Sequence, residues 1–166
     1  MKSHSLLFLI FFLLVTILGC QSSLKEGDVI EFINNENIQV NEIIPIDGLY
    51  FLFCDDNNKL GIYTIKNKNN GTYEYSHAKS DTYEKIFLGS SEKNYVGLIV
   101  NDKELLNKTN YIQIEKNEKK DKIPLSKDKK YYVLNSSLIT KNYDYVLKFY
   151  DINNEIIYQY GPPENP

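Results

Sequence analysis

The side chains able to do chemistry in this 166-residue chain are few: two cysteines, Cys20 and Cys54, and two histidines, His4 and His77. Cys20 closes the run Ile17-Leu18-Gly19-Cys20, which follows Lys2 and an apolar stretch over residues 6–18 broken only by Thr16. A basic start, an apolar middle and a small residue directly before a cysteine predict a lipoprotein signal peptide over 1–19. It would be cut between Gly19 and Cys20, and the Cys20 thiol would carry a diacylglyceryl group. Thirteen residues rise about 20 Å as a helix, short of the ~30 Å hydrocarbon core, so the stretch reads as a signal and not as a spanning anchor. Each buried methylene of an acyl chain contributes about 0.8 kcal/mol, enough for two or three chains to hold the mature protein on a membrane.

His77 ends the run Tyr73-Glu74-Tyr75-Ser76-His77 and is the one histidine beyond the signal. A strand there puts Tyr73, Tyr75 and His77 on one face, a surface able to stack against a ligand or a partner. The plainer reading is a tyrosine-lined sheet face that ends in a half-exposed imidazole. A hydrolase centred on His77 would need an oriented base and an identifiable nucleophile, and the sequence carries a signature of neither. No catalytic residue is assigned. Cys54, in Leu49-Tyr50-Phe51-Leu52-Phe53-Cys54, reads as a small buried hydrophobe.

One histidine and one buried thiol supply too few soft ligands for a transition metal. Asp151, Asn153 and Glu155 alternate like half of a calcium loop, and Asp55, Asp56, Asn57 and Asn58 form a second oxygen cluster. The first lacks the central glycine and the bidentate glutamate of a calcium loop, and both have turn chemistry. No metal and no cofactor is expected. Three glycosylation-type triplets, at Asn70, Asn107 and Asn135, are what an asparagine-rich chain gives by chance.

Removing residues 1–19 takes away Lys2 and no acid, which leaves 147 residues with 18 lysines, no arginine and 22 acids. That length suits one domain. A net negative charge disfavours nucleic acid as a partner. With Cys20 committed to lipid, Cys54 has no disulfide partner within the mature chain.

The elements that must position these groups follow from periodicity. Ser23 with Glu26 three residues on resembles a capping box, and Val29, Ile30 and Ile33 recur at helical spacing, which predicts a short helix from 24 to about 34. Thereafter the period is two. Strands are expected near 38–46, 49–54, 59–66, 72–78, 84–89, 94–101, 110–115, 131–139, 143–151 and 155–160. Turns fall at Asp47-Gly48, Asp55 to Asn58, Lys68 to Gly71 and Asp151 to Asn154, so neighbouring strands should pair antiparallel. The segments 49–54 and 95–100 are apolar on both faces and are expected at the centre, covered on both sides. In the last hairpin Tyr143, Tyr145, Leu147 and Phe149 are expected to join Ile156, Tyr158 and Tyr160 in one layer. The lysine-rich stretch 115–130 reads as a charged loop and the proline-dense 161–166 as an extended tail.

The expected fold class is therefore mainly β: an antiparallel β-sandwich or barrel-like domain over 24–160, with one N-terminal helix behind a tether at 20–23. In its order of parts the chain resembles the small lipoproteins and cell-surface proteins of low-GC bacteria. The resemblance is carried by the lipobox, the short helix, and the segments IIPIDGLYFLF (43–53), LGIYTIK (60–66), YVGLIVN (95–101) and LKFYDINNEIIY (147–158). That group has no assigned activity, so the resemblance implies location and fold alone. The expectation is a non-enzymatic binding or accessory module, lipid-anchored on the extracytoplasmic face of the cell membrane, with a protein partner in the envelope. An immunity lipoprotein that captures a toxin and a weak hydrolase built on His77 are the alternatives.

Overall fold

The computed structural model describes residues 24–56, 59–68, 72–82 and 84–161. The junction Gly19-Cys20, the tether 20–23 and the tail beyond Gly161 lie outside them. Helix α1 spans Glu26–Asn35. Its start is set by Asp28, whose carboxylate accepts the Lys25 backbone N–H at 2.8 Å, so the N-cap is Lys25 and the expected Ser23–Glu26 box does not begin the helix. An acid three residues into the turn satisfies the cap amide and complements the helix dipole, which a box two residues earlier would not do for this turn.

The described strands form three antiparallel sheets. The first has the order β1 (Glu42–Ile46), β2 (Leu49–Asp56), β3 (Lys59–Lys68), β4 (Thr72–Ser80). The middle sheet is β5 (Ile86–Glu92), β6 (Tyr95–Val100) and β9 (Tyr131–Asn135), with β6 in its centre. The third orders as β11 (Ile156–Tyr160), β10 (Val146–Tyr150), β7 (Tyr111–Lys116) and β8 (Lys119–Pro124). A short helix α2, Lys103–Lys108, follows β6, capped by Asp102, which accepts the N–H of Glu104 at 2.9 Å and of Leu105 at 3.0 Å.

Alternation in β6 explains the stacking. Val96, Leu98 and Val100 pack with Ile112, Ile114, Leu147 and Phe149 of the third sheet, while Tyr95 and Ile99 pack with Phe51, Phe53, Leu60 and Ile62 of the first. The middle sheet is covered on both faces, as the unbroken apolar run of β6 requires. β2 is doubly covered in the same way: Leu49, Phe51 and Phe53 face the middle sheet, and Leu52 and Cys54 lie under Val29 and Phe32 of α1. Each fully buried Phe or Leu contributes about 1.5–3 kcal/mol by leaving water.

Two glycines set the distance between the first and middle sheets. Gly89 and Gly97 pair directly, and a Cβ at Gly97 would lie 2.6 Å from Ile62 Cγ2 and one at Gly89 2.5 Å from Ala78 Cβ. Only a bare backbone lets β3 and β4 press so close.

Several expectations are corrected. The domain is a stack of three open sheets, so it closes into no barrel and exceeds a two-sheet sandwich. The stretch read as a charged loop contains β8, hairpinned to β7 through Asn117 and Glu118, both at positive φ (48° and 65°). That is the backbone of a two-residue primed turn, in which glutamate stands where glycine is usual, and the lysines serve an edge strand. β1 starts at Glu42 and not at 38, β9 ends at Asn135 and β10 starts at Val146. Tyr143 has a left-handed φ of 52° and is exposed, so it leaves the expected layer. Phe149 pairs with Tyr158 but Tyr150 with Ile156, and this bulge turns Ile156 out to 52% exposure while Tyr145, Leu147 and Phe149 are buried.

Candidate binding face beside the first helix

β4 is an edge strand, and its alternation sends Ala78 into the core while Tyr73, Tyr75, His77 and Lys79 stand on the face that carries α1. The β3–β4 register places His77 opposite Tyr63, Tyr75 opposite Ile65 and Lys79 opposite Gly61. Phe32 reaches from α1 onto this face, with its ring 6.0 Å from Tyr63, 5.7 Å from Tyr73 and 4.9 Å from Tyr75, centroid to centroid. The ten-residue α1 is about 15 Å long and leaves the far edge of the sheet uncovered. There the His77 ring stacks on Tyr63 at 5.4 Å and lies 6.2 Å from Tyr75, and Lys79 Nζ sits 5.3 Å from the Tyr63 ring centroid. Tyr75 is 41% exposed and His77 and Lys79 are exposed, so the strip faces solvent.

The strip is aromatic and cationic. Hydrogen bonding with the Tyr63 hydroxyl is the main effect that holds the Lys79 ammonium above the usual lysine value. Among the described residues no hydrogen bond joins His77 to a carboxylate, serine or threonine, and its neighbours are rings. A general base needs a partner that orients one ring nitrogen and a proton donor at the other. What this arrangement offers is flat π surface beside a positive charge, suited to gripping the aromatic, aliphatic or acidic side chains of a partner.

The expectation that Tyr73, Tyr75 and His77 share a face matches the structure. Phe32, Tyr63 and Lys79 complete the group and were not singled out from the sequence. The strand period does place Tyr63 and Lys79 on this face once β3 and β4 are paired, whereas Phe32, whose i+3 spacing from Val29 marks it as buried, gives no local sign of which strand it covers.

Cys54 lies on the same face, opposite Gly61, but beneath α1. Burial pushes its thiol up to about 11 against the pull of Lys79, so it stays protonated at neutral pH and is a poor nucleophile. Behind the strip, Thr64 Oγ1 donates to the Ser90 carbonyl at 3.1 Å, Ser90 Oγ reaches Thr64 Oγ1 at 2.6 Å, and the Ser76 and Ser90 hydroxyls meet at 3.1 Å. This chain satisfies Thr64 and Ser90, both buried, and pins β3 and β4 to the bulge of β5, where Ser90 has a φ of 54°.

The oxygen clusters serve turns and ties. The Asp151 carboxylate accepts the backbone N–H of Asn153 at 2.8 Å and of Glu155 at 2.9 Å, which closes the β10–β11 turn, and Asp55 pairs with Lys130. Among the described residues no group of three or more His, Cys, Asp or Glu side chains is placed to hold a metal ion, and no helix is long and apolar enough to cross a membrane. Comparison with protein-family models, with curated proteins and with solved structures finds no match for this chain.

Proposed function

We propose that the mature chain is a lipid-anchored cell-envelope protein, held by Cys20 on the extracytoplasmic face of the membrane, whose β-rich body is a non-enzymatic binding or accessory module. The Leu18-Gly19-Cys20 junction supports the anchor. The observation that carries the binding role is the exposed stack of Tyr75 and His77 beside Lys79 on an uncovered edge strand. Aromatic side chains with a polar handle are enriched where proteins meet, and here they stand in solvent on a rigid, doubly layered sheet. A protein partner in the envelope fits this chemistry best. A toxin bound for self-protection would use the same face.

A photo-crosslinking residue at position 75 of the full chain, expressed in its own cell, tests the reading. It is expected to capture one discrete protein, and Lys79→Ala, at an exposed position outside the core, to remove most of the adduct while the fold persists. His77→Gln should leave the adduct in place, since glutamine also lies flat against a ring edge. No discrete adduct at 75, or an equal one with the probe moved to exposed Ile152, would contradict it.

A further inference from the structure

On the other side of α1 from the aromatic strip the helix and the edge strand β1 enclose a groove of about 260 Å³, lined by Glu26, Val29, Ile30, Ile43, Pro45 and Tyr50. Its lips are two large aliphatic side chains left in water: Ile30 is 51% exposed and Ile43 40%. Isolated exposed aliphatics are ordinary, but two that flank an apolar groove on an edge strand form a patch that asks for a cover.

Chain length says what that cover is. Leu24 is the first described residue, and its carbonyl accepts the Tyr50 hydroxyl at 3.4 Å, so the chain enters the domain at the groove itself. Four peptide steps separate Leu24 from Cys20, and an extended chain covers at most ~3.3–3.6 Å per residue, so Cys20 lies within about 15 Å of Leu24. Glu26, on the groove wall, is two residues further on, where the helix begins. A lipid on Cys20 therefore holds the entry to this groove within about 15 Å of the bilayer. Glu26, Asp28 and Glu31 on α1 repel anionic headgroups, so a seat here depends on Ile30, Ile43, Pro45 and the amphipathic ring of Tyr50 meeting uncharged lipid.

We infer that the α1–β1 groove rests on the membrane surface in which the Cys20 acyl chains are inserted. The domain thereby acquires a fixed orientation, with the third sheet and the β10–β11 turn pointing away. This rests on the lipoprotein reading of Cys20, and the test separates the two.

The lipidated full chain is reconstituted into phosphatidylcholine vesicles that contain spin-labelled lipid, with a fluorophore on Ile30→Cys, Ile43→Cys or, as the distant control, Ile152→Cys. Native Cys54 is buried and Cys20 is acylated, so the introduced thiol is the one that reacts. Apolar faces of interfacial segments seat ~5–10 Å deep, within reach of such quenchers. Strong loss of fluorescence at positions 30 and 43 with none at 152, unchanged by added salt, is the expected result. Acylated protein whose probes at 30, 43 and 152 are quenched alike, or not at all, overturns the seat and leaves the anchor standing. Failure of Cys20 to take up any acyl group overturns both.

Discussion

The Tyr95 hydroxyl donates a hydrogen bond to the Asp47 carboxylate and accepts one from the Asn135 side-chain amide at 3.4 Å. Asp47 sits in the β1–β2 turn with Gly48, both at positive φ (47° and 74°), while Tyr95 opens β6. One side chain of the middle sheet thus latches the tip of a hairpin in the first, 48 residues away. At the opposite end of β2 the Lys130–Asp55 ion pair ties the same two sheets.

Tyr95→Phe removes the latch and leaves the Asp47 carboxylate and the Asn135 amide short of a partner. The midpoint of urea unfolding is expected to fall with its slope unchanged. Hydrogen bonding to Asp47, with burial and the carboxylate charge, raises the Tyr95 phenol above its usual value. A raised folded value means the contribution is whole below the unfolded pKa near 10 and is lost as pH rises through the folded one. The gap between wild type and Tyr95→Phe should therefore hold constant from pH 7 to 9 and close above about 10, by titration of urea midpoints against pH.

On the outer face of the third sheet Lys148 Nζ lies 2.9 Å from Glu115, with the two side chains only 12% and 17% exposed. Burial pushes the Glu115 carboxyl up, but hydrogen bonds from Lys148 and Gln113 outweigh it and hold it below the usual value. A depressed folded value gives stability present above the unfolded pKa near 4.3 and lost as pH falls through the folded one. Orphaning a fully buried charge costs ~3–5 kcal/mol, but Glu115 is only part-buried and Lys120, 3.5 Å away, remains to relieve it, so Lys148→Met is expected to cost ~1–2 kcal/mol at pH 7. Urea unfolding at pH 7 and pH 3 reads both effects, with the variant closer to wild type in acid.

Gly97→Ala forces a methyl against Ile62. Overpacking of this kind costs about 1–3 kcal/mol. Ile62→Ala in the same chain should return part of that loss, because it removes both the Cγ2 nearest the new methyl and the Cδ1 at 3.1 Å, so the double variant loses less than the sum of the two single losses. Additive losses in the double variant, by the same unfolding measurement, would mean the two sheets do not meet through this pair.

How much of this was legible in the sequence depends on the range of the forces involved. The strand period placed Tyr73, Tyr75 and His77 on one face, and the unbroken apolar runs of β2 and β6 marked them as covered on both sides, because burial imprints itself residue by residue. Asp47-Gly48 declared its turn because glycine tolerates positive φ. The Asn117-Glu118 turn did not, since nothing local advertises a glutamate in that conformation, and β8 went unread with it. α2 was missed because six residues give too short a period, although Asp102 before Glu104 and Leu105 is a cap signal. The bulge that expels Ile156 depends on pairing between strands and leaves no trace in either one alone. The third sheet, Phe32 over Tyr75, and the groove at Ile30 and Ile43 are products of packing between segments far apart in sequence.

The most direct measurement of the central claim, a lipid-anchored module, is incorporation of labelled palmitate into the full chain in its native cell. The account predicts label on the wild type, a mobility shift consistent with loss of residues 1–19, and neither label nor shift for Cys20→Ser. Palmitate absent from the wild type, or equal in both, would contradict it.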